Sequence, residues 1–321
     1  MDRIKSLLKI ILPLGIGVFF IYLTINTTAP EDRVQIYKYI KNADLRFVFL
    51  SLLFAVLSHL ARAYRWKYLL EPLGYQPRFI NSTLAVMIAY IANLGVPRSG
   101  EILRATTMST YDKIPFEKGF GTIIAERIVD ILFLLFFVLL ALSVQYEMIW
   151  SVLQEKQIDR NTLIIYGGVF AVGFFLIRLL FKRSKNQKVL RIKQFFNGLL
   201  EGILSINNMP NKKPFIFLSF FIWAMYFAMF YVIKWTVPET ISLTIIQTLP
   251  AFVVGSLAIS ATNGGIGIYP FSVGLMLSTF GISKEAGLAF GWVMWSGQTA
   301  MVILFGSLAF FTLPLFNRRM R

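Results

Sequence analysis

The chain of 321 residues contains no cysteine and one histidine. The first absence removes disulfides and thiolate chemistry, and together they leave nucleophile–base catalysis few candidates. Acidic residues are scarce, 16 against 32 Lys and Arg, for a net charge of +16. No HExxH, Cys/His cluster or DxD-like acidic pair occurs, so no bound metal is expected. No G-x-x-x-x-G-K-[ST] occurs either, which removes the usual ATP-hydrolysing engine. No cofactor is expected. Charge of any kind is low, at 15%, against about 25% in a soluble domain.

What is present is apolar: 56% hydrophobic and 16% aromatic residues, with a mean hydropathy of +0.66. Residues 215–233, 240–283 and 286–317 hold no charged side chain. A crossing helix needs about 20 apolar residues, so these runs alone require several spans. The sequence reads as an all-α polytopic membrane helical bundle, one integral membrane domain over residues 1–321. Nucleic acid is rejected as the partner of the positive charge. The Lys and Arg lie in loops between apolar runs, where the positive-inside rule and anionic lipid account for them. Arg3, Lys5 and Lys9 before the apolar 10–25 resemble a signal layout. No small-residue cleavage site follows "TINTTAP", so this is read as an uncleaved first span.

Candidate segments are 7–25, 47–64, 79–96, 128–146, 163–181, 215–237, 241–262, 268–282 and 286–311. Loop charge arbitrates among them. The linker 182–213 carries eight Lys/Arg and one acid, Glu201, and is read as cytoplasmic, as are both termini. The region 79–127 must then make an even number of passes, as a re-entrant hairpin or with a second pass after Pro97. An odd number of the last three segments must cross. We expect six to eight crossings, with broken helices near 93–100 and 263–270. Within the linker, Val189, Ile192, Phe196, Leu199, Ile203 and Ile206 recur at helical spacing. This predicts an amphipathic helix over about 186–208 in the cytoplasmic interface; a plain helical connector is the alternative.

Four stretches carry chemistry. In "NLGVPRSGEILR" (93–104), Gly95 and Pro97 end one helix, and Pro97 suits the first turn of the next. Arg98, Glu101 and Arg104 then fall at i, i+3 and i+6, with Glu101 between two guanidinium groups. A helix N-terminus at a break attracts anions, and the planar fork of arginine suits phosphate. Irregular backbone at membrane depth is tolerated only where protein or a watery cavity covers it. In "ERIVD", Glu126 and Asp130 share a helix face, Arg127 lies to one side, and Asp130 heads sixteen uncharged residues to Tyr146. Arg98 and Arg104 are the partners this spacing suggests. In "ATNGGIGIYPF" (261–271), Gly264, Gly265, Gly267 and Pro270 interrupt an uncharged run. Paired breaks of this kind mark substrate sites in transporters built from two repeats. No residue-level repeat is visible. In "RAYRWKYLL", Arg62 and Arg65 lie at i, i+3 beside Trp66 and read most simply as an interfacial anchor. His59, one turn before Arg62, reads as a capping or interfacial residue rather than a proton relay. Charge inside the membrane is a functional-site default, against the plainer reading of an ion-pair network that pins helices together.

The ordered set of Arg62, Arg65 and Trp66, then Asn93, Pro97, Arg98, Gly100, Glu101 and Arg104, then Glu126, Arg127 and Asp130, then Gly264, Gly265 and Gly267 resembles the flippase-like transmembrane domain of lysylphosphatidylglycerol synthases. The likeness is to stand-alone members without the soluble synthase domain. It implies a protein of a prokaryotic plasma membrane that moves or positions a phosphate-bearing lipid. Relatives are linked to aminoacylated phosphatidylglycerol, polyprenyl-linked sugars and hopanoid lipids. Where relatives carry a basic–acidic pair after the glycine motif, Tyr269 and Pro270 stand here.

The function expected is a lipid transporter rather than an enzyme. Arg98 and Arg104, with Arg127 second, would hold the phosphate, and Glu101, Glu126 and Asp130 would orient those arginines. Asn93, Arg62 and Arg65 complete the candidate substrate-binding set, and Gly264, Gly265 and Gly267 supply flexibility. The expected partners are membrane lipids with anionic head groups, with a lipid-synthesis enzyme as a further candidate. "GLAFG" at Gly287 and Gly291 would permit a homo-oligomer. The rivals are a membrane transferase acting on a lipid phosphate, with Glu101 or Asp130 as base, and a non-catalytic subunit of a lipid-synthesis complex.

Overall fold

A computed structural model describes residues 29–147, 209–262 and 264–318, with isolated positions between 18 and 26. Most of the expected span 7–25, the span 163–181 and the linker helix at about 186–208 lie outside the described residues.

The described chain is helical, without strands. Helix α1, Pro30–Lys41, starts on a proline, whose missing N–H is no loss in the first turn. Helix α2, Leu45–Leu70, is capped by Asp44, whose carboxylate accepts the Arg46 backbone N–H at 2.9 Å. Helix α3 is Phe79–Gly95, α4 is Ser99–Asp112 and α5 is Phe116–Val144. Helix α6, Lys212–Tyr231, tightens into a 3-10 turn at Val232–Trp235. Helix α7, Ile245–Ala261, opens on a capping box in which Thr244 and Gln247 bond each other's backbone N–H. Helices α8, Ile268–Ser278, and α9, Lys284–Arg318, follow.

Four stretches are long and apolar enough to cross a membrane: Leu45–Leu73, Phe116–Val144, Lys212–Trp235 and Lys284–Arg318. Helices α3 and α7 have 17 residues each, about 25 Å, short of the roughly 30 Å hydrocarbon core. Neither is among those four stretches, and α8, with 11 residues, is shorter still.

Side-chain contacts fix the direction of each element. Ser51 Oγ donates to the Met229 carbonyl at 2.8 Å, and Arg65 Nη1 donates to Ser219 at 2.8 Å. Helices α2 and α6 are thus antiparallel, with Leu45 and Trp235 toward one face and Leu70 and Lys212 toward the other. Helices α3 and α4 enter and leave at the Leu70 face, where Arg78 Nε donates to Asp112 at 2.8 Å. Of the two arrangements open for residues 79–127, the chain uses the re-entrant hairpin. Helix α5 then crosses, and Gln145 reaches the Ile246 carbonyl at 3.0 Å at the Leu45 face. Helices α7 and α8 enter and leave there, since the Ser283 N–H donates to Glu239 at 3.3 Å and Glu239 accepts from Tyr39. Helix α9 crosses back, and Asn317 donates to Asn81 at 2.9 Å.

The order span, hairpin, span therefore occurs twice, with the hairpins entering from opposite faces. Their tips meet: a Cβ on Gly264 would lie 2.7 Å from the Leu94 side chain. Trp295 of α9 holds the second tip, its Nε1 donating to the Gly264 carbonyl at 2.7 Å. This is an inverted layout of the kind found in transporters, reached without residue-level similarity between the halves.

Small residues let these elements approach. A Cβ on Gly100 would sit 2.1 Å from the Ala89 carbonyl oxygen, so α4 lies directly on α3. A Cβ on Gly291 would sit 2.6 Å from Pro270 Cα, and one on Gly287 3.0 Å from Gly274. The "GLAFG" glycines are thus buried under α8 and spent within the chain, not free for pairing with a second copy. Around Trp223, the rings of Phe137, Phe227, Phe252 and Phe230 fill the space between α5, α6 and α7. The outer surface exposes Phe217, Leu139, Phe310 and Phe311, a face suited to acyl chains rather than water.

Candidate functional site

Five charged side chains from three helices meet inside the bundle. Arg62 Nη1 donates to Glu126 Oε1 at 2.5 Å and to Asp130 Oδ2 at 2.7 Å. Arg65 Nη2 donates to Asp130 Oδ1 at 3.0 Å and lies 3.4 Å from Glu126. Arg104 forms a fork with Glu126, at 3.2 and 3.0 Å. The Arg65 and Glu126 side chains are 0% exposed and the Arg104 side chain 2%. Arg62 lies eight residues before the end of α2, about 12 Å along the helix from that face. Charge held at that depth must be paired, and here it is.

The helices set this geometry. On α2, Arg62 and Arg65 stand at i, i+3; on α5, Glu126 and Asp130 stand one turn apart and present two carboxylates to them. Arg104 reaches the same carboxylate from the returning arm of the hairpin, with its guanidinium 3.8 Å from the Trp66 ring centre. Trp66 Nε1 in turn donates to Thr122 at 2.9 Å. Arg65 Nη1 donates to Ser219 on α6 and faces the Phe215 ring. Arg62 Nη2 donates to the Tyr226 hydroxyl at 3.1 Å, which lies 3.2 Å from the Tyr90 hydroxyl.

The edge of this network is open. Arg127 Nε lies 3.2 Å from Glu101, and Arg127 Nη1 lies 3.5 Å from Asp130. The Arg127 side chain is 39% exposed and that of Glu101 19%. Beyond them, Arg98 is exposed and Gly95 and Val96 beside it are exposed too. Arg98 takes the left-handed backbone at φ 62, as the residue that caps α4.

Several expectations need correction. Helix α4 begins at Ser99, so Arg98 precedes its periodicity and does not share a face with Glu101 and Arg104. Pro97 is likewise outside the helix. Glu101 pairs with Arg127 rather than sitting between Arg98 and Arg104, and Asp130 pairs with Arg62, Arg65 and Arg127. Arg62 and Arg65 are not interfacial anchors but the buried centre of the network. His59 neither caps nor lies at an interface: it is buried in mid-helix, tilted on the Tyr90 ring at 4.3 Å. Asn93 is turned to a structural task. Its Oδ1 accepts the Gly100 N–H at 2.8 Å, filling one backbone donor expected to be open at the start of α4. Its amide lies 3.4 Å from Glu101.

At the second break, Gly264, Gly265 and Gly267 have φ of 65, 78 and 69, a backbone that side chains with a Cβ rarely adopt. Tyr269 packs against Gly255 and Pro270 beneath Gly291. The positions of the expected basic–acidic pair thus seat α8 on its neighbours. Sequence reasoning missed Tyr226, Tyr90, Ser219 and Thr122. Each contributes one hydroxyl from a distant segment, and no spacing announces it. Among the described residues no group of His, Asp and Glu is placed to hold a metal.

A family model described as the lysylphosphatidylglycerol synthase TM region matches residues 10–306. The chain belongs to that family. Among individual proteins, the chain is 30% identical over 112 residues to the UPF0104 membrane protein MJ1595 of Methanocaldococcus jannaschii. That match covers 34% of this chain and 33% of the relative. It is 28% identical over 152 residues to the UPF0104 membrane protein PH1989 of Pyrococcus horikoshii, covering 44% of this chain and 41% of that protein. It is 29% identical over 102 residues to the glycosyltransferase AglD of Haloferax volcanii, covering 32% of this chain and 16% of that protein. The matched stretches span less than half of each relative. No solved structure matches the chain.

Proposed function

We propose that the protein moves or positions a phosphate-bearing lipid, a phospholipid or a polyprenyl-phosphate-linked one, across the bilayer. The observation that carries this reading is the open end of the buried arginine–carboxylate network. There Arg127 pairs with Glu101, three residues past Arg98 at the first break, and Leu94 on that hairpin's tip meets Gly264 at the second. Two half-helix N-termini, of α4 and α8, lie at these breaks, and their partial positive charge adds to that of the arginines. Arg98 and Arg127 hold the phosphate, because they are the accessible cations. Arg104 supports them from behind rather than leading. Glu101 and Asp130 orient Arg127, and their competition for it keeps the phosphate from binding too tightly to leave.

The Leu70 face carries Lys67, Arg78, Lys113, Lys118, Lys212, Lys213 and Arg318, against Arg33, Lys38, Lys41, Arg46 and Lys284 toward the Leu45 face, so we propose that the Leu70 face is the cytoplasmic one of a prokaryotic plasma membrane, with both termini. The lipid phosphate then enters between the hairpin tips while its acyl chains stay in the bilayer. The small-residue contacts beneath each hairpin allow the two halves to re-pack around that point.

A second reading, a membrane transferase acting on a lipid phosphate, draws on the printed name of the glycosyltransferase relative. Mass spectrometry separates the two. Purified protein should carry a phosphate-bearing lipid that Arg127→Ala loses, with no new covalent species formed. A new covalent lipid favours the transferase; no retained lipid in either protein removes the binding claim. Co-purification with a lipid-synthesis enzyme, and no activity alone, would favour the subunit reading.

A further inference from the structure

The buried network has more donors than its own carboxylates use. Arg62, Arg65 and Arg104 face Glu126 and Asp130, three buried cations against two buried anions. The Nε atoms of Arg62, Arg65 and Arg104, and that of Arg127 beside them, are buried without a hydrogen-bond partner. An excess cation and idle N–H donors in a low-dielectric place are unfavourable by themselves, and one further anion answers both. The surroundings suit a phosphoryl group on an apolar stem. Trp66 walls the Arg104 guanidinium and Phe215 that of Arg65, while the Ser219 and Tyr226 hydroxyls accept from Arg65 and Arg62.

The deep arginines connect to the open edge. Asp130 contacts Arg62, Arg65 and Arg127 at once, and the Arg127 side chain is partly exposed. A group held at Arg127 is therefore one carboxylate away from Arg62 and Arg65. We propose that Arg62, Arg65 and Arg104 form an inner station for the lipid phosphate, reached from an outer station at Arg98 and Arg127, an inference that rests on the lipid reading above. Glu126 and Asp130 are its internal competitors. They hold the inner arginines until the incoming phosphate displaces one carboxylate, and they retake them when the phosphate departs toward the Leu70 face. The same two side chains thus serve as counter-ions in one step and as a seal in the next.

The test is binding of dioctanoyl phosphatidylglycerol to the purified full-length protein in a neutral detergent, measured by calorimetry. Glu126→Gln keeps the shape and most hydrogen bonds but removes one competitor. Its affinity should rise about tenfold or more over wild type. The gain should vanish in Glu126→Gln with Arg104→Gln, and dioctanoylglycerol, which lacks the phosphate, should not bind. If thermal melting shows that Glu126→Gln does not fold, Asp130→Asn should show the same gain. Unchanged or weaker affinity in the folded carboxamide variant overturns the inner station, as does a gain that survives Arg104→Gln. Translocation in vesicles is a separate readout. A protein that binds as stated but moves no lipid keeps the station and loses the transport reading.

Discussion

Replacing Gly100 by alanine tests the hairpin that positions the site. The added Cβ would lie 2.1 Å from the Ala89 carbonyl oxygen, 2.7 Å from its carbon and 2.9 Å from its Cα. Backbone cannot rotate away as a side-chain tip can. An ordinary contact begins at 3.4 Å, so α4 must withdraw by about 1.3 Å, the difference between 3.4 and 2.1. That breaks the Asn93 cap on the Gly100 N–H, now 2.8 Å, and strains the Ser99 hydroxyl bond to the Ala92 carbonyl, now 3.0 Å. Overpacking of this kind costs about 1–3 kcal/mol and a lost cap about 1 kcal/mol, so roughly 2–4 kcal/mol is expected. Reversible unfolding by SDS, followed by circular dichroism in mixed micelles, measures it. Gly121→Ala is the control: it lies in α5 with nothing within 4 Å of the new methyl. That change should stabilise by about 0.5–1 kcal/mol through helix propensity. A Gly100→Ala protein within about 0.5 kcal/mol of wild type, or equal losses in both variants, would refute the close-contact argument.

Other outcomes follow from the same geometry. Arg98 holds a left-handed backbone. Arg98→Gly should therefore raise stability by about 0.5–1 kcal/mol while abolishing lipid movement, a split read by melting and translocation on one sample. Hydrogen bonds from Ser283 and then Tyr39 hold the Glu239 carboxyl below its usual range. Its contribution to anchoring α1 should be complete above about pH 4.5 and fade as pH falls through the lowered value; Glu239→Gln should flatten that part of the stability profile. Asn317 accepts from Arg78 at 2.6 Å and bonds Asn81, tying α9 to the hairpin base. Asn317→Leu should cost about 1–3 kcal/mol in SDS unfolding, because Asn81 and Arg78 lose a buried partner.

Much of the fold is legible in the sequence because lipid imposes simple rules. Charge-free runs mark spans, and the parity of basic loops forces residues 79–127 to return to the face they left. Gly and Pro mark both breaks. The interior of the site is less legible. Helical spacing placed Arg98 with Glu101 and Arg104 only on the assumption that the helix begins at Pro97; starting at Ser99, it leaves Arg98 outside. Arg62 and Arg65 near a Trp look like an anchor until α5 supplies two carboxylates from more than 60 residues away. Partners such as Tyr226 and Ser219 come from the second half, and local pattern carries no trace of which helix will pack on which.

The most direct test of the account is a dithionite assay on reconstituted vesicles holding a fluorescent phosphatidylglycerol. Wild-type protein should expose the inner-leaflet probe to bleaching, while Arg98→Ala and Arg127→Ala, folded by the same melting criterion, should slow this by at least about tenfold. Equal bleaching by the wild type and both variants would contradict the claim that these two arginines carry the lipid phosphate.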